Sequence, residues 1–169
     1  FDHGGRLVPD AIDRLVGDTP KPRPIVVLRG HSDSIEQLRI SADGRFMVTA
    51  SQDRTAALWD ARTGERLAEF HHPGQVHSAA ISPDGDWVVT GTWSGDIWWW
   101  EARTGRAAAE LRGHRGPVRR ATFDLGGSRV LTASDDATAR VWDAAGDAST
   151  VLAGHSAAVT AAVFSPAGR

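Results

Sequence analysis

One pattern constrains this chain more than any other: a set of residues returns in the same order about every 41 positions. His31, His72, His114 and His155 are separated by 41, 42 and 41 residues. Ile35, Val76, Val118 and Val159 keep those steps, and Trp59, Trp100 and Trp142 follow at 41 and 42. The fullest copy, residues 28–60, reads LRGHSDSIEQLRISADGRFMVTASQDRTAALWD. A period of this size means one supersecondary unit stacked several times, each copy burying its apolar faces against the next. Inside the unit, short apolar and β-branched runs alternate with turn residues. This predicts strands at Ile35 to Ile40, Phe46 to Ala50, Thr55 to Trp59 and Arg66 to Phe70. The turn Ser41-Ala42-Asp43-Gly44 returns as Ser82-Pro83-Asp84-Gly85, Asp124-Leu125-Gly126-Gly127 and Ser165-Pro166-Ala167-Gly168. Proline presets φ at the second turn position and glycine suits the fourth, so these substitutions follow turn chemistry.

Gly30-His31, the run Thr49-Ala50-Ser51-Gln52-Asp53 and the closing Trp59-Asp60 together resemble the WD40 family of β-propellers, over residues 25 to 169. The resemblance implies an all-β chain of propeller blades, each of four antiparallel strands. Three repeats are complete, at about 28–70, 71–110 and 111–151, and a fourth begins at 152–169. Ile25 to Leu28 is expected as the outer strand of a preceding blade, and Val159 to Phe164 as the inner strand of a following one. A closed propeller needs typically 4–8 blades, and an open blade leaves unpaired backbone groups. We therefore expect a fragment of a larger propeller. Residues 1–24 do not fit the repeat. Pro9 to Gly17 reads as a short helix, with Pro in the first turn and Gly past the end, and Thr19 to Pro24 as a stiff proline-rich linker.

Composition narrows the partners. The 169 residues carry a formal net charge of −2, which marks neither a nucleic-acid binder nor an anionic-membrane binder. Cysteine is absent, which excludes disulfides and thiolate metal sites. No apolar run reaches the roughly 18–20 residues of a membrane span. The one methionine is Met47, so the true N-terminus is expected upstream.

Seven histidines invite a metal or catalytic reading. Four of them hold the repeat position, and repetition argues for architecture. The resemblance implies a buried network in each blade: the His, the Ser or Thr before the tight turn, the Asp inside it, and the Trp that ends the third strand. Carried over, these are His31, Ser51, Asp53 and Trp59 in the first repeat, and His114, Ser134, Asp136 and Trp142 in the third. The second has His72, Thr92 and Trp100, with Ser94 in place of the Asp. The chemistry is consistent, because an indole N–H only donates, a hydroxyl can accept it, and a carboxylate can orient the imidazole. His71, His72 and His77 lack a nearby carboxylate or Cys and make a poor metal set. No nucleophile, base and orienter constellation, Gly-rich phosphate loop or paired-carboxylate motif stands out. We expect no catalytic residue, metal or cofactor.

The stretch Asp96 to Trp100 alternates, so Trp98 and Trp100 share one face and Trp99 takes the other. Burial between blades is the expected role. Trp93 differs, because it lies in the tight turn. The resemblance implies a partner-binding top face lined by the residue before the turn Asp and by those flanking the inner-strand Ile or Val. These are Ser34, Glu36 and Gln52; Gln75, His77 and Trp93; Pro117, Arg119 and Asp135; and Ala158 and Thr160. The implied function is a non-catalytic scaffold that binds a protein or peptide, with no nucleic acid and no membrane. It belongs in the cytoplasm, in a larger bacterial-type signalling or regulatory protein, with an NTPase or kinase domain upstream. A propeller lyase or hydrolase with a central site, and a purely structural array, are the alternatives.

Overall fold

The computed structural model describes residues 26–143 and 149–165. Twelve strands form three four-stranded antiparallel sheets, each meandering from an inner to an outer strand. Blade one contains β1 (Ile35–Ile40), β2 (Phe46–Ser51), β3 (Thr55–Asp60) and β4 (Arg66–His71). Blade two contains β5 (Val76–Ile81), β6 (Trp87–Thr92), β7 (Ile97–Glu101) and β8 (Ala107–Leu111). Blade three contains β9 (Val118–Phe123), β10 (Arg129–Ser134), β11 (Ala139–Asp143) and β12 (Ser149–Leu152). The expected helix at 9–17 and linker at 19–24 lie outside the described residues.

Two of the expected strands differ. Residues 26–28 and 159–164 are not strands. A strand is defined by its ladder, and among the described residues neither segment finds a second strand to pair with. Residues 159–164 nonetheless lie against blade three. Val159 N donates to Ser134 O at 3.0 Å, and Arg129 sits over the Phe164 ring.

The core lies between blades. One cluster joins Val48, Ala50, Ala56, Leu58 and Phe70 of blade one to Val76, Ala79, Val88, Trp100 and Ala102 of blade two. A second joins Val89, Ile97, Trp99 and Leu111 of blade two to Val118, Ala121, Val130 and Trp142 of blade three. Alternation on β7 thus sends Trp99 to one interface and Trp100 to the other. Truncating either to Ala would cost about 3–5 kcal/mol. Space at the second interface is tight. A Cβ on Gly91 would stand 2.5 Å from Val118 Cγ1, which explains Gly where the other blades carry Ala50 and Ala133. The outer face of blade one is open: Leu38 and Ile40 are exposed, whereas their counterparts Ala79 and Ile81 pack into the first cluster.

A bulge at the same place in each blade positions the site. The ladder pairs Ile35 with Ser51 and Gln37 with Ala50, so Glu36 faces no partner. His77 is skipped in the same way between Val76 and Ser78, and Arg119 between Val118 and Arg120. A bulge re-aims the extra residue's side chain. Here it turns Glu36, His77 and Arg119 toward the end where the tight turns carry Gln52, Trp93 and Asp135.

Candidate interaction face

Each tight turn is pinned from below by the inner strand's approach segment. Gln52 N donates to Ser34 O, Trp93 N to Gln75 O and Asp135 N to Pro117 O, at 2.9, 3.1 and 3.0 Å. Three of the residues named from sequence, Ser34, Gln75 and Pro117, therefore act here through their carbonyls, and the Gln75 side chain is exposed.

Above these carbonyls, six side chains from three blades form a continuous row. Within blade one, Gln52 Nε2 donates to Glu36 Oε1. Within blade two, the His77 and Trp93 rings stack with centroids 5.2 Å apart and 7° between planes. Within blade three, Arg119 donates from Nε to Asp135 Oδ1 at 2.7 Å and from Nη2 to Oδ2 at 2.5 Å. Across blades, Arg119 Nη1 donates to His77 Nε2 at 2.8 Å. A guanidinium only donates, so His77 Nε2 accepts and the ring proton sits on Nδ1. That Nδ1 lies 3.7 Å from Glu36 Oε2, too far for a hydrogen bond. Arg119 also lies 5.2 Å from the Trp93 ring centroid, within cation–π range. The hydrogen bond from Arg119 holds Asp135 below the usual carboxylate range, and Asp135 in turn raises Arg119. Trp93 stays 39% exposed, so the row presents an indole surface to solvent. Ala158 and Thr160 are exposed and do not join it.

Beneath the row lie the histidine networks, and one expected member is replaced. Trp59 Nε1 donates to Thr49 Oγ1 at 2.9 Å, and Thr49 Oγ1 lies 2.7 Å from His31 Nε2. His31 Nδ1 meets Asp53 Oδ2 at 2.8 Å. The hydroxyl is Thr49, not Ser51. Ladder register explains this: Trp59 pairs directly with Met47, so Thr49 is its diagonal neighbour, and Ser51 lies about 7 Å further along the strand. Ser51 Oγ instead donates to Asp33 O and accepts from Asp53 N, which ties the turn to the inner strand. The same correction holds for the other blades. Thr132, not Ser134, joins His114 Nε2 and Trp142 Nε1, at 2.7 and 2.8 Å. Thr90, not Thr92, joins His72 Nε2 and Trp100 Nε1, at 2.7 and 2.9 Å. The signal was present in the sequence, as an identical Thr at 49, 90 and 132, each preceded by two apolar residues.

Hydroxyl, imidazole and carboxylate here have the connectivity of a hydrolase triad. Yet Thr49 and Thr132 are fully buried, and each hydroxyl already accepts an indole N–H. No substrate carbonyl can reach them, and the arrangement serves the fold.

Blade two breaks the pattern in a coordinated way. In blade one the turn carries Asp53 and Thr55, with Thr55 Oγ1 donating to Asp53 Oδ1 at 2.6 Å. Blade two reverses the pair, and Ser94 Oγ donates to Asp96 Oδ2 at 2.6 Å. Asp53 also accepts the Ser32 amide, and Asp136 the Arg115 amide, both at 3.0 Å. The residue at that position in blade two is Pro73, which has no N–H to give. His72 Nδ1 is therefore buried without a hydrogen-bond partner among the described residues. Burial pushes His72 down to about 4, offset only in part by the carbonyls of Phe70 and Arg54.

Comparison with known proteins places this architecture. The family model "WD domain, G-beta repeat" matches residues 22–60, 64–101 and 105–143. Human apoptotic protease-activating factor 1 is 28% identical over 119 residues, covering 70% of this chain and 10% of that protein. The small ribosomal subunit protein RACK1 of Candida albicans is 48% identical over 42 residues, 25% of this chain and 13% of that one. The U5 small nuclear ribonucleoprotein 40 kDa protein of Dictyostelium discoideum is 28% identical over 118 residues, 69% and 33% of the two chains. The chain thus spans a third or less of the length of these relatives. Among solved structures, the RRP9 WD40 repeats superpose with a TM-score of 0.72 at 30% identity, over 78% of this chain and 42% of that one. The U3-55K structure superposes with the same score at 29% identity. With three in-register repeats, three four-stranded blades and a family model matching more than half its length, the chain belongs to the WD40 repeat family of β-propellers.

Proposed function

We propose that this chain is a non-catalytic interaction module that docks a protein or peptide on the face formed by Glu36, Gln52, His77, Trp93, Arg119 and Asp135. One observation carries the reading: Trp93 remains exposed while His77 and Arg119 hold its ring in place. An indole stiffened in this way offers a large apolar surface at little cost in side-chain entropy, and Trp and Arg are favoured hot spots. Gln75, exposed at the foot of the Trp93 turn, belongs to the rim of the same surface. The sequence resemblance further supports a place in the cytoplasm, within a larger bacterial-type signalling or regulatory protein beside an NTPase or kinase domain.

The test is panning of a displayed peptide library against the chain, followed by titration of selected peptides against variants. Trp93→Ala should weaken binding at least tenfold, which is about 1.4 kcal/mol, while leaving the circular dichroism spectrum unchanged. Peptides that bind wild type and Trp93→Ala equally would overturn the reading and favour a purely structural array.

A further inference from the structure

The seam between blades one and two stands open where the seam between blades two and three is filled. At the second seam Trp99 of β7 is 2% exposed. Its ring meets Trp87 of β6 at 6.4 Å and Phe123 of β9 at 5.1 Å, both edge-on. One repeat earlier these three positions carry Leu58, Phe46 and Ile81, each with a smaller side chain. The first seam keeps a groove of about 380 Å³, within the range of ligand pockets. Phe46, Leu58 and Leu67 of blade one line it together with Gly85 and Ala102 of blade two. It lies between two complete four-stranded sheets, away from both open ends of the array. It opens at the end of the strands opposite the tight turns, because Phe46 begins β2 and Gln52 follows its last residue.

Two features select the occupant. The floor is continuous with the interblade core, since Leu58 and Ala102 are members of the first cluster and Phe46 packs on it. Leu67, at 45% exposed, leaves that apolar surface facing water. The rim is balanced in charge, with Arg45 and Arg103 beside Asp84 and Asp86. Arg45 lies 3.9 Å from Asp43, and Arg103 lies 3.9 Å from Asp86. No net charge calls for an ion, and exposed pairs this long hold their side chains weakly.

We propose that the groove between blades one and two takes one uncharged aromatic side chain, tryptophan or phenylalanine, presented by a peptide segment of a partner protein. The second seam is the precedent within the chain, because a ring at that register packs against both of its blades. An aromatic ring carries a large apolar area and can meet Phe46 edge-on or offset. The site is separate from the face around Trp93, at the other end of the strands.

The test is a nuclear magnetic resonance titration of the chain with capped pentapeptides Gly-Ser-Trp-Ser-Gly, Gly-Ser-Phe-Ser-Gly and Gly-Ser-Ala-Ser-Gly. The tryptophan and phenylalanine peptides should shift the amides of Gly85, Ala102 and Arg103 saturably, at least tenfold more tightly than the alanine peptide. Leu58→Trp should abolish the response, because its own ring takes the place that Trp99 takes one repeat later. Leu67→Asp puts a charge on the exposed wall and should weaken binding at least tenfold with an unchanged circular dichroism spectrum. If Leu58→Trp fails to fold, Leu67→Asp alone decides. Trp93→Ala should leave the titration intact, so this groove and the face around Trp93 can fail independently. Equal affinity of the aromatic and alanine peptides overturns the proposal, as does wild-type binding by Leu67→Asp. Shifts confined to the tight turns around Trp93 also overturn it. Shifts of the same three amides with protein concentration alone would assign the groove to a second copy of the chain and overturn the peptide assignment.

Discussion

Arg119 grips Asp135 with two parallel hydrogen bonds and uses its third nitrogen on His77, so one side chain fastens two blades together. The pair is bidentate but only part-buried, with side chains 32% and 24% exposed. A double-mutant cycle of Arg119→Ala and Asp135→Ala should return a coupling of about 1 kcal/mol or less. The coupling should shrink between 0.05 and 0.5 M salt, as screening requires. A coupling insensitive to salt would mean that the contact acts by packing.

The replacement of Ser51 by Thr49 in the first network has an energetic signature. Thr49→Val removes the acceptor of Trp59 Nε1 and the partner of His31 Nε2, leaving two buried polar groups unsatisfied. The expected cost is about 2–4 kcal/mol. Ser51→Ala loses two longer bonds to turn backbone and should cost about 1 kcal/mol. Urea melts of the two variants, compared at equal m-value, decide the order.

The buried groups predict two separate acid windows. His72 falls from 6.5 to about 4 on folding, chiefly by desolvation. A histidine depressed in the folded state binds more protons when unfolded. Its contribution is complete above pH 6.5 and is lost as pH falls from 6.5 toward 4. Asp53 and Asp136 are raised by burial, but bonds from Thr55 and His31, and from Thr138, Arg115 and His114, outweigh it and leave both far below 3.8. Their contribution is present above pH 3.8 and is lost as pH falls below it. Nuclear magnetic resonance should find His72 neutral at pH 5.5. The double change Pro73→Ser and Ser94→Asp, which restores the amide and carboxylate of blade one, should raise its pKa and flatten the first window alone. Asp53→Asn with Asp136→Asn should flatten the second.

Backbone conformation at the tight turns gives a prediction of opposite sign for neighbouring blades. Arg54 and Ala137 adopt φ of 70° and 65°, a left-handed region that strains non-glycine residues. Ala137→Gly should stabilise by up to about 1 kcal/mol. Gly95 occupies the same turn in blade two at φ 97°, and a Cβ there would stand 2.7 Å from His114 O. Gly95→Ala should therefore destabilise, and calorimetry of the two variants should show shifts in Tm of opposite direction.

Much of this was readable before any coordinates. Ile35–Ile40 follows from its alternation and flanking turns, and the opposed faces of Trp99 and Trp100 follow from strand geometry alone. The hydroxyl of the buried network was misplaced by two residues for an identifiable reason. Thr49 and Ser51 lie on the same face of β2, so a period of two cannot separate them, and only the ladder register says which one stands beside the Trp59 indole. The segments at 26–28 and 159–164 have strand-like sequences but no pairing partner among the described residues, and pairing is a property of two segments.

Local sequence specified the repeat, the four strands of each complete copy and the turns. These depend on local alternation, φ preferences and spacing along one chain. The tertiary structure decided which residues touch. Gln52 meets Glu36 and Asp135 meets Arg119 within blades, but Arg119 reaches His77 only because packing brings inner strands from different blades side by side. Contacts between residues 42 or more positions apart depend on how one blade's twist sets the next, and no short stretch of chain encodes that angle.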